Sequence, residues 1–140
     1  MSGQVFLRRV TVRYEHCDAA GIIFYPNYFF FINQAVEDWF KLELGCDWLT
    51  YHLDRRLGIP TAHLEVDFSA PSYMNDVLDW EMRLTHLGTK SITLEHRALC
   101  RDEERIRANH RLVTASLDGI KPVPIPDDIR EQMARFLDSD

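Results

Sequence analysis

A chain of 140 residues can bury one hydrophobic core and is too short for two, so a single domain is expected. With 46% hydrophobic and 27% charged residues it has an ordinary globular composition. A net charge of −6 argues against nucleic acid as the main partner, and the longest apolar stretch, Gly21 to Phe31, is broken by Tyr25-Pro26-Asn27 and falls short of the ~20 residues of a membrane helix.

Met1 to Arg9 contain no apolar signal segment, and Cys17, Cys46 and Cys100 are an odd set without metal-ligand spacing, so a reducing cytoplasm is the expected compartment. From Arg9 to Glu15 the chain alternates, with Val10, Val12 and Tyr14 on one face, which predicts a first half-buried strand. A small-residue turn containing Asp18 and Gly21 follows. Asn27 to about Leu44 is then helical: Tyr28, Phe31, Ala35, Trp39 and Leu42 recur at three and four, beside a second row of Phe29, Ile32, Val36 and Phe40. A helix apolar nearly all round at its start is expected to be covered on several sides, as by a sheet wrapped around it.

Gly45 can cap that helix, and Asp47 to Leu53 predict a short helical turn. Beyond Gly58-Ile59-Pro60 the period changes to two. Ala62, Leu64, Val66 and Phe68 alternate with polar residues; so do Leu78, Trp80, Met82 and Leu84, then Ile92, Leu94, His96 and Ala98, and a last strand runs from Arg105 to Leu117. The short turns between them predict an antiparallel meander. After a proline-rich stretch at Lys121 to Pro126, residues 127–137 read as a short helix with Ile129, Met133 and Phe136 on one face, expected to pack on the surface. The sum is an α+β domain over residues 1–140, five antiparallel strands around one long helix.

The chemistry concentrates before that helix. Pro26 has no N–H and a fixed φ, which suits the first helical position. Tyr25 then lies at the helix N-terminus, where unpaired N–H groups and the positive end of the dipole face any nearby anion. Asp18 is seven residues earlier, across the Gly21 turn. A carboxylate on one side of a carbonyl and N–H donors on the other is what acyl transfer requires. The bland reading of Asp18 is a turn former. His16 and Cys17 are adjacent on extended chain, point to opposite sides and so are poorly placed to activate each other. His63, Glu65 and Asp67 share a strand face, but no further ligand lies at a supporting spacing, so a solvated or subunit-contact face is expected and no metal.

The run Asp18-Ala19-Ala20-Gly21-Ile22-Ile23-Phe24-Tyr25-Pro26-Asn27-Tyr28 closely resembles the signature of hot-dog-fold acyl-CoA thioesterases of the 4-hydroxybenzoyl-CoA thioesterase family, in the subgroup that uses an aspartate. The resemblance extends from about Val5 to about Leu117. It implies the hot-dog fold, an acyl-CoA substrate, and no cofactor beyond the coenzyme A carried by that substrate. Catalysis would rest on Asp18, as nucleophile or as general base for water, and on the Tyr25 backbone N–H as oxyanion donor. Substrate contacts are expected from Gly21, Phe24, Asn33, Trp48, Thr61 and Lys90, with Arg55, Arg56 and Arg101 as further basic residues for the nucleotide end. The position matching Asn33 is an aspartate in the 4-hydroxybenzoyl-specific relatives, so a small aromatic acyl group is expected without that particular phenol contact. Short or medium aliphatic acyl groups are the alternative. A hot-dog hydratase or dehydratase and a non-catalytic thioester-binding module are the rival functions. Open sheet edges further imply a homodimer that assembles to a homotetramer, with the active site at the subunit boundary.

Overall fold

The computed structural model describes residues 3–138. Five strands, β1 (Phe6–Thr11), β3 (Thr61–Phe68), β4 (Val77–Leu87), β5 (Ser91–Cys100) and β6 (Glu103–Val113), form one antiparallel sheet in the order β1-β4-β5-β6-β3. Short strands β2 (Leu57–Gly58), β7 (Ala115–Ser116) and β8 (Lys121–Pro122) make a second, three-stranded patch. Helix α1 (Pro26–Leu42) starts at Pro26, one residue before the expected start.

Alternation decides which faces meet. Leu78, Trp80, Met82, Leu84, Ile92, Leu94, His96 and Ala98 are all buried, and they join Tyr28, Phe31, Ile32, Ala35, Val36, Trp39 and Phe40 of α1 in one core. Phe31 meets Trp80 edge to face at 6.2 Å between ring centres. Truncating a residue as buried as Trp39 would cost about 3–5 kcal/mol. Helix α1 is further covered by Tyr51 on a π turn at Thr50–Asp54, 5.1 Å from the Phe40 ring, and by Phe136, 5.6 Å from Trp39.

Two expectations are corrected and a third is refined. The first strand is Phe6–Thr11, not Arg9 to Glu15, and Tyr14 is 82% exposed. Beyond the ladder with β4 the chain folds into a 3-10 turn, Tyr14–His16, closed by the Arg13 N–H donating to His16 Nδ1 at 2.8 Å. The C-terminal segment is α2 (Asp127–Met133) followed by a 3-10 turn at Ala134–Phe136, and its apolar face is core, since Ile129, Met133 and Phe136 are buried. The start of α1 is covered less than its sequence implies. Phe30 is 64% exposed and Phe29 38%.

Candidate active site

Residues 16–24 form a tight hairpin that runs directly into α1. The Phe24 N–H donates to the His16 carbonyl at 2.8 Å and the Asp18 N–H to the Ile22 carbonyl at 2.9 Å, with Cys17 paired to Ile23 between them. The loop closes through the Gly21 N–H donating to the Asp18 carbonyl at 3.0 Å, and Gly21 has φ +79°, a conformation that strains any residue with a Cβ. Asp18 therefore sits two residues up the hairpin from its base, about 7 Å along extended chain. The base is tied to the first turn of α1, where Asn27 Nδ2 donates to the same His16 carbonyl at 2.8 Å.

Asp18 is exposed, and its Oδ1 accepts the Ala20 N–H at 2.9 Å. Among the described residues no donor reaches Oδ2. At the helix mouth, Pro26 has no N–H, while the Asn27 and Tyr28 N–H groups are taken by the carbonyls of Phe24 and Tyr25 at 2.9 and 3.1 Å. Among the described residues nothing accepts the N–H of Tyr25, the residue that caps the helix. His16 and Cys17 are both turned back to Arg13, His16 accepting from its N–H and Cys17 Sγ donating to its carbonyl at 3.4 Å.

A buried polar cluster that sequence reading missed supports this hairpin from below. The Ile23 N–H donates to the Ser72 carbonyl at 2.8 Å, and the Ser72 hydroxyl is 2.7 Å from the Tyr28 phenol. Arg105 Nη1 donates to the Pro71 carbonyl at 2.9 Å and to Asp76 Oδ2 at 2.7 Å, with both charged side chains nearly inaccessible. Burial pushes the Asp76 carboxyl up. The Tyr73 N–H and the Arg105 guanidinium outweigh it and hold the group below the usual carboxylate value. Burial likewise raises the Tyr28 phenol. Arg105 is more than thirty residues from Pro71 and Ser72 in sequence, and no local pattern announces the contact.

The expected substrate residues do not gather in one depression. Asp18 and Gly21 line one of about 520 Å³ with Tyr14, Cys17 and Met74; Tyr25 lines another of about 290 Å³ with Ile22, Tyr28, Phe68 and Pro71. Asn33 and Trp48 share a third, of about 300 Å³, with Ile59, Pro60 and Leu117. Eight helical residues separate Tyr25 from Asn33, about 12 Å of rise, which is why one chain cannot bring both to the same small group. Phe24 is half exposed beside Tyr25, their rings 5.7 Å apart. Lys90 is exposed in the β4–β5 turn, and among the described residues no carboxylate pairs with it. Arg55 and Arg56 are engaged by Asp128 at 2.8 Å and Asp118 at 3.4 Å, and Arg101 lies in the β5–β6 turn with φ 51°.

Thr61 is the residue whose placement sequence reading could not give. Strict alternation puts it outward, opposite to Ala62 and Leu64. The register slips at this point, Thr61 lying opposite Leu112 and His63 opposite Arg111, so Ala62 is bulged and Thr61 turns to the inner face. His63 pairs with Glu65 at 3.0 Å, and among the described residues no group of three His, Cys, Asp or Glu could hold a metal ion. Among the described residues no helix is long and apolar enough to cross a membrane.

A five-stranded antiparallel sheet around one long helix, with a carboxylate hairpin at the helix mouth, defines a hot-dog-fold domain. The chain belongs to the thioesterase-like superfamily, whose family model matches residues 12–133. It is 28% identical over 88 residues to a 1,4-dihydroxy-2-naphthoyl-CoA hydrolase of Synechococcus elongatus, a match that covers 62% of this chain and 64% of that protein's length. It is 22% identical over 121 residues to the acyl-CoA thioesterase YbgC of Haemophilus influenzae, covering 86% and 88% of the two chains. Among solved structures it superposes on a gentisyl-coenzyme A thioesterase with a TM-score of 0.80 at 27% identity, covering 92% of this chain and 99% of the other.

Proposed function

We propose that this chain is an acyl-CoA thioesterase that hydrolyses a small aromatic acyl-CoA to the free acid and coenzyme A. The observation that supports this reading is the hairpin: it ties the Asp18 segment to the first turn of α1 through the His16 carbonyl, and among the described residues neither Asp18 Oδ2 nor the Tyr25 N–H has a partner. A thioester carbonyl bound between them would have its oxygen on the Tyr25 N–H and its carbon open to attack, by Asp18 itself or by a water that Asp18 deprotonates. Direct attack forms a mixed anhydride and expels the CoA thiolate; oxygen-18 from water entering Asp18 in a single turnover identifies that route.

The acyl group would occupy the depression of Asn33 and Trp48, whose apolar walls suit an aromatic ring. Since that depression is a long step from Tyr25 on one chain, we assign it to the partner subunit of a dimer, which goes on to form a tetramer. The exposed rings of Phe24, Tyr25, Phe29, Phe30 and Phe68 around the helix mouth support a subunit contact there. Lys90, which like Arg101 has no carboxylate partner among the described residues, would meet the coenzyme's phosphates, and the reaction requires neither metal nor redox cofactor. The names of the relatives, naphthoyl-CoA and gentisyl-CoA hydrolases, favour an aromatic acyl group, while the YbgC match keeps an aliphatic one as the second reading.

Thiol release from a panel of aromatic and aliphatic acyl-CoA esters tests the proposal. Steady release, fastest for aromatic esters, is expected. Hydration without thiol would point to a hydratase, and binding without turnover to a carrier module.

A further inference from the structure

Three buried side chains on the inner face of the sheet take no part in holding Asp18 or Tyr25. Trp80 on β4, His96 on β5 and His110 on β6 stand diagonally across neighbouring strands, and their hydrogen bonds run on to Thr61 at the start of β3. An indole N–H has no acceptor capacity, so Trp80 Nε1 donates to His96 Nδ1 at 3.0 Å. Every later direction follows from that one. The proton of a neutral His96 is then on Nε2 and is donated to His110 Nδ1 at 3.2 Å. His110 in turn carries its proton on Nε2 and donates it to Thr61 Oγ1 at 2.8 Å. Burial keeps both rings neutral, holding His96 down at about 3, with the charge of His110 adding to the effect, and His110 at about 4.

Thr61 Oγ1 is thus already an acceptor, and its own O–H is left to donate. Among the described residues no acceptor takes it. The hydroxyl reaches the inner face only because of the bulge at Ala62, and it follows directly on Ile59 and Pro60, two walls of the depression that carries Asn33 and Trp48. A free hydroxyl can rotate to donate or accept and so discriminates little. One that already accepts a fixed N–H keeps its proton free and has one lone pair fewer to accept with, so it is biased toward donating.

We propose that Trp80, His96 and His110 are positioning residues that make the Thr61 hydroxyl a fixed hydrogen-bond donor to an oxygen substituent on the acyl ring. Thr61 thereby selects oxygenated aromatic acyl groups over their unsubstituted counterparts. This rests on the thioesterase reading above. The apolar walls of the depression fit the ring, and Asn33, able both to donate and to accept, supplies a second polar contact.

The test compares kcat/KM for 2-, 3- and 4-hydroxybenzoyl-CoA with that for benzoyl-CoA. Wild-type protein should favour at least one hydroxybenzoyl ester by about tenfold, the worth of one well-made hydrogen bond. Thr61→Val should bring that ratio to about one, and Thr61→Ser should restore it. A ratio unchanged in Thr61→Val, including through equal losses on both esters, would overturn the contact. Hydrolysis of none of the esters by the wild type would instead overturn the thioesterase reading and the contact with it. The relay is read separately, without any variant, in long-range proton–nitrogen NMR spectra at pH 7. Both histidines should be Nε2–H tautomers, and an Nδ1–H tautomer or an imidazolium at either would overturn the relay.

Discussion

The hairpin at residues 16–24 and the relay ending at Thr61 organise polar groups in opposite ways. In the hairpin the acid is exposed, and the loop that carries it is closed by backbone hydrogen bonds between residues at most eight apart, with one long-range backbone bond, Ile23 to Ser72, beneath it. In the relay every group but the last is buried, and the bonds join side chains 14, 16 and 49 residues apart. The first arrangement is closed mainly by local sequence and tolerates water; the second exists only once four strands are in register, and it keeps water from all but its last member, the exposed Thr61. A reacting carboxylate that must meet a solvent molecule suits the first, and a donor that must keep one direction suits the second.

This contrast can be broken most sharply at Asp18. Asp18→Asn should lower thiol release by about a thousandfold with the fold intact by circular dichroism, within the range of an acid–base group or nucleophile. Retained turnover within a few-fold would remove the assignment. Next is the support beneath the hairpin. Asp76→Asn removes the buried one of the two carboxylates on Arg105, leaving only the exposed Glu103 at 2.7 Å, and should cost about 3 kcal/mol in urea unfolding, with a parallel loss of activity as the hairpin slackens. An unchanged unfolding midpoint would mean that Glu103 alone suffices to balance Arg105.

The relay should show itself through pH. His96 and His110 bind protons in the fold only near 3 and 4, against an ordinary value of 6.5. Lowered folded values mean that the unfolded chain takes up protons first. The stability they contribute is therefore complete above pH 6.5 and is lost progressively as pH falls toward 4. Between pH 6.5 and 5 each should cost on the order of 2 kcal/mol of unfolding free energy. Flat stability across that interval would contradict neutral buried histidines. The smallest effect is expected at Tyr25, whose contribution is its backbone. Tyr25→Phe should change kcat by no more than about twofold, and a loss approaching that of Asp18→Asn would show that the phenol takes part.

What the sequence made legible follows the same division. Pro26, Gly21 and the period-two runs act locally, so the helix start, the turn and four of the five sheet strands could be read from their neighbours alone. The first strand was misread because Val12 and Tyr14 extend an alternation that the backbone abandons at Thr11 to make the His16 turn. The Ala62 bulge was invisible because it costs no change of residue type, yet it alone brings Thr61 to the inner face. The Arg105 cluster and the histidine relay depend on strand register, which hydrophobic patterning does not number. The division of Asn33 and Trp48 from Asp18 follows from helix rise, and could have been counted from the sequence.

The most direct measurement is a crystal structure with an acyl-CoA analogue in which a methylene ketone replaces the thioester. The ketone oxygen should lie within hydrogen-bond distance of the Tyr25 N–H, with the Asp18 carboxylate against the carbonyl carbon or one water away from it. A ketone bound elsewhere, or Asp18 turned away from it into solvent, would contradict the account.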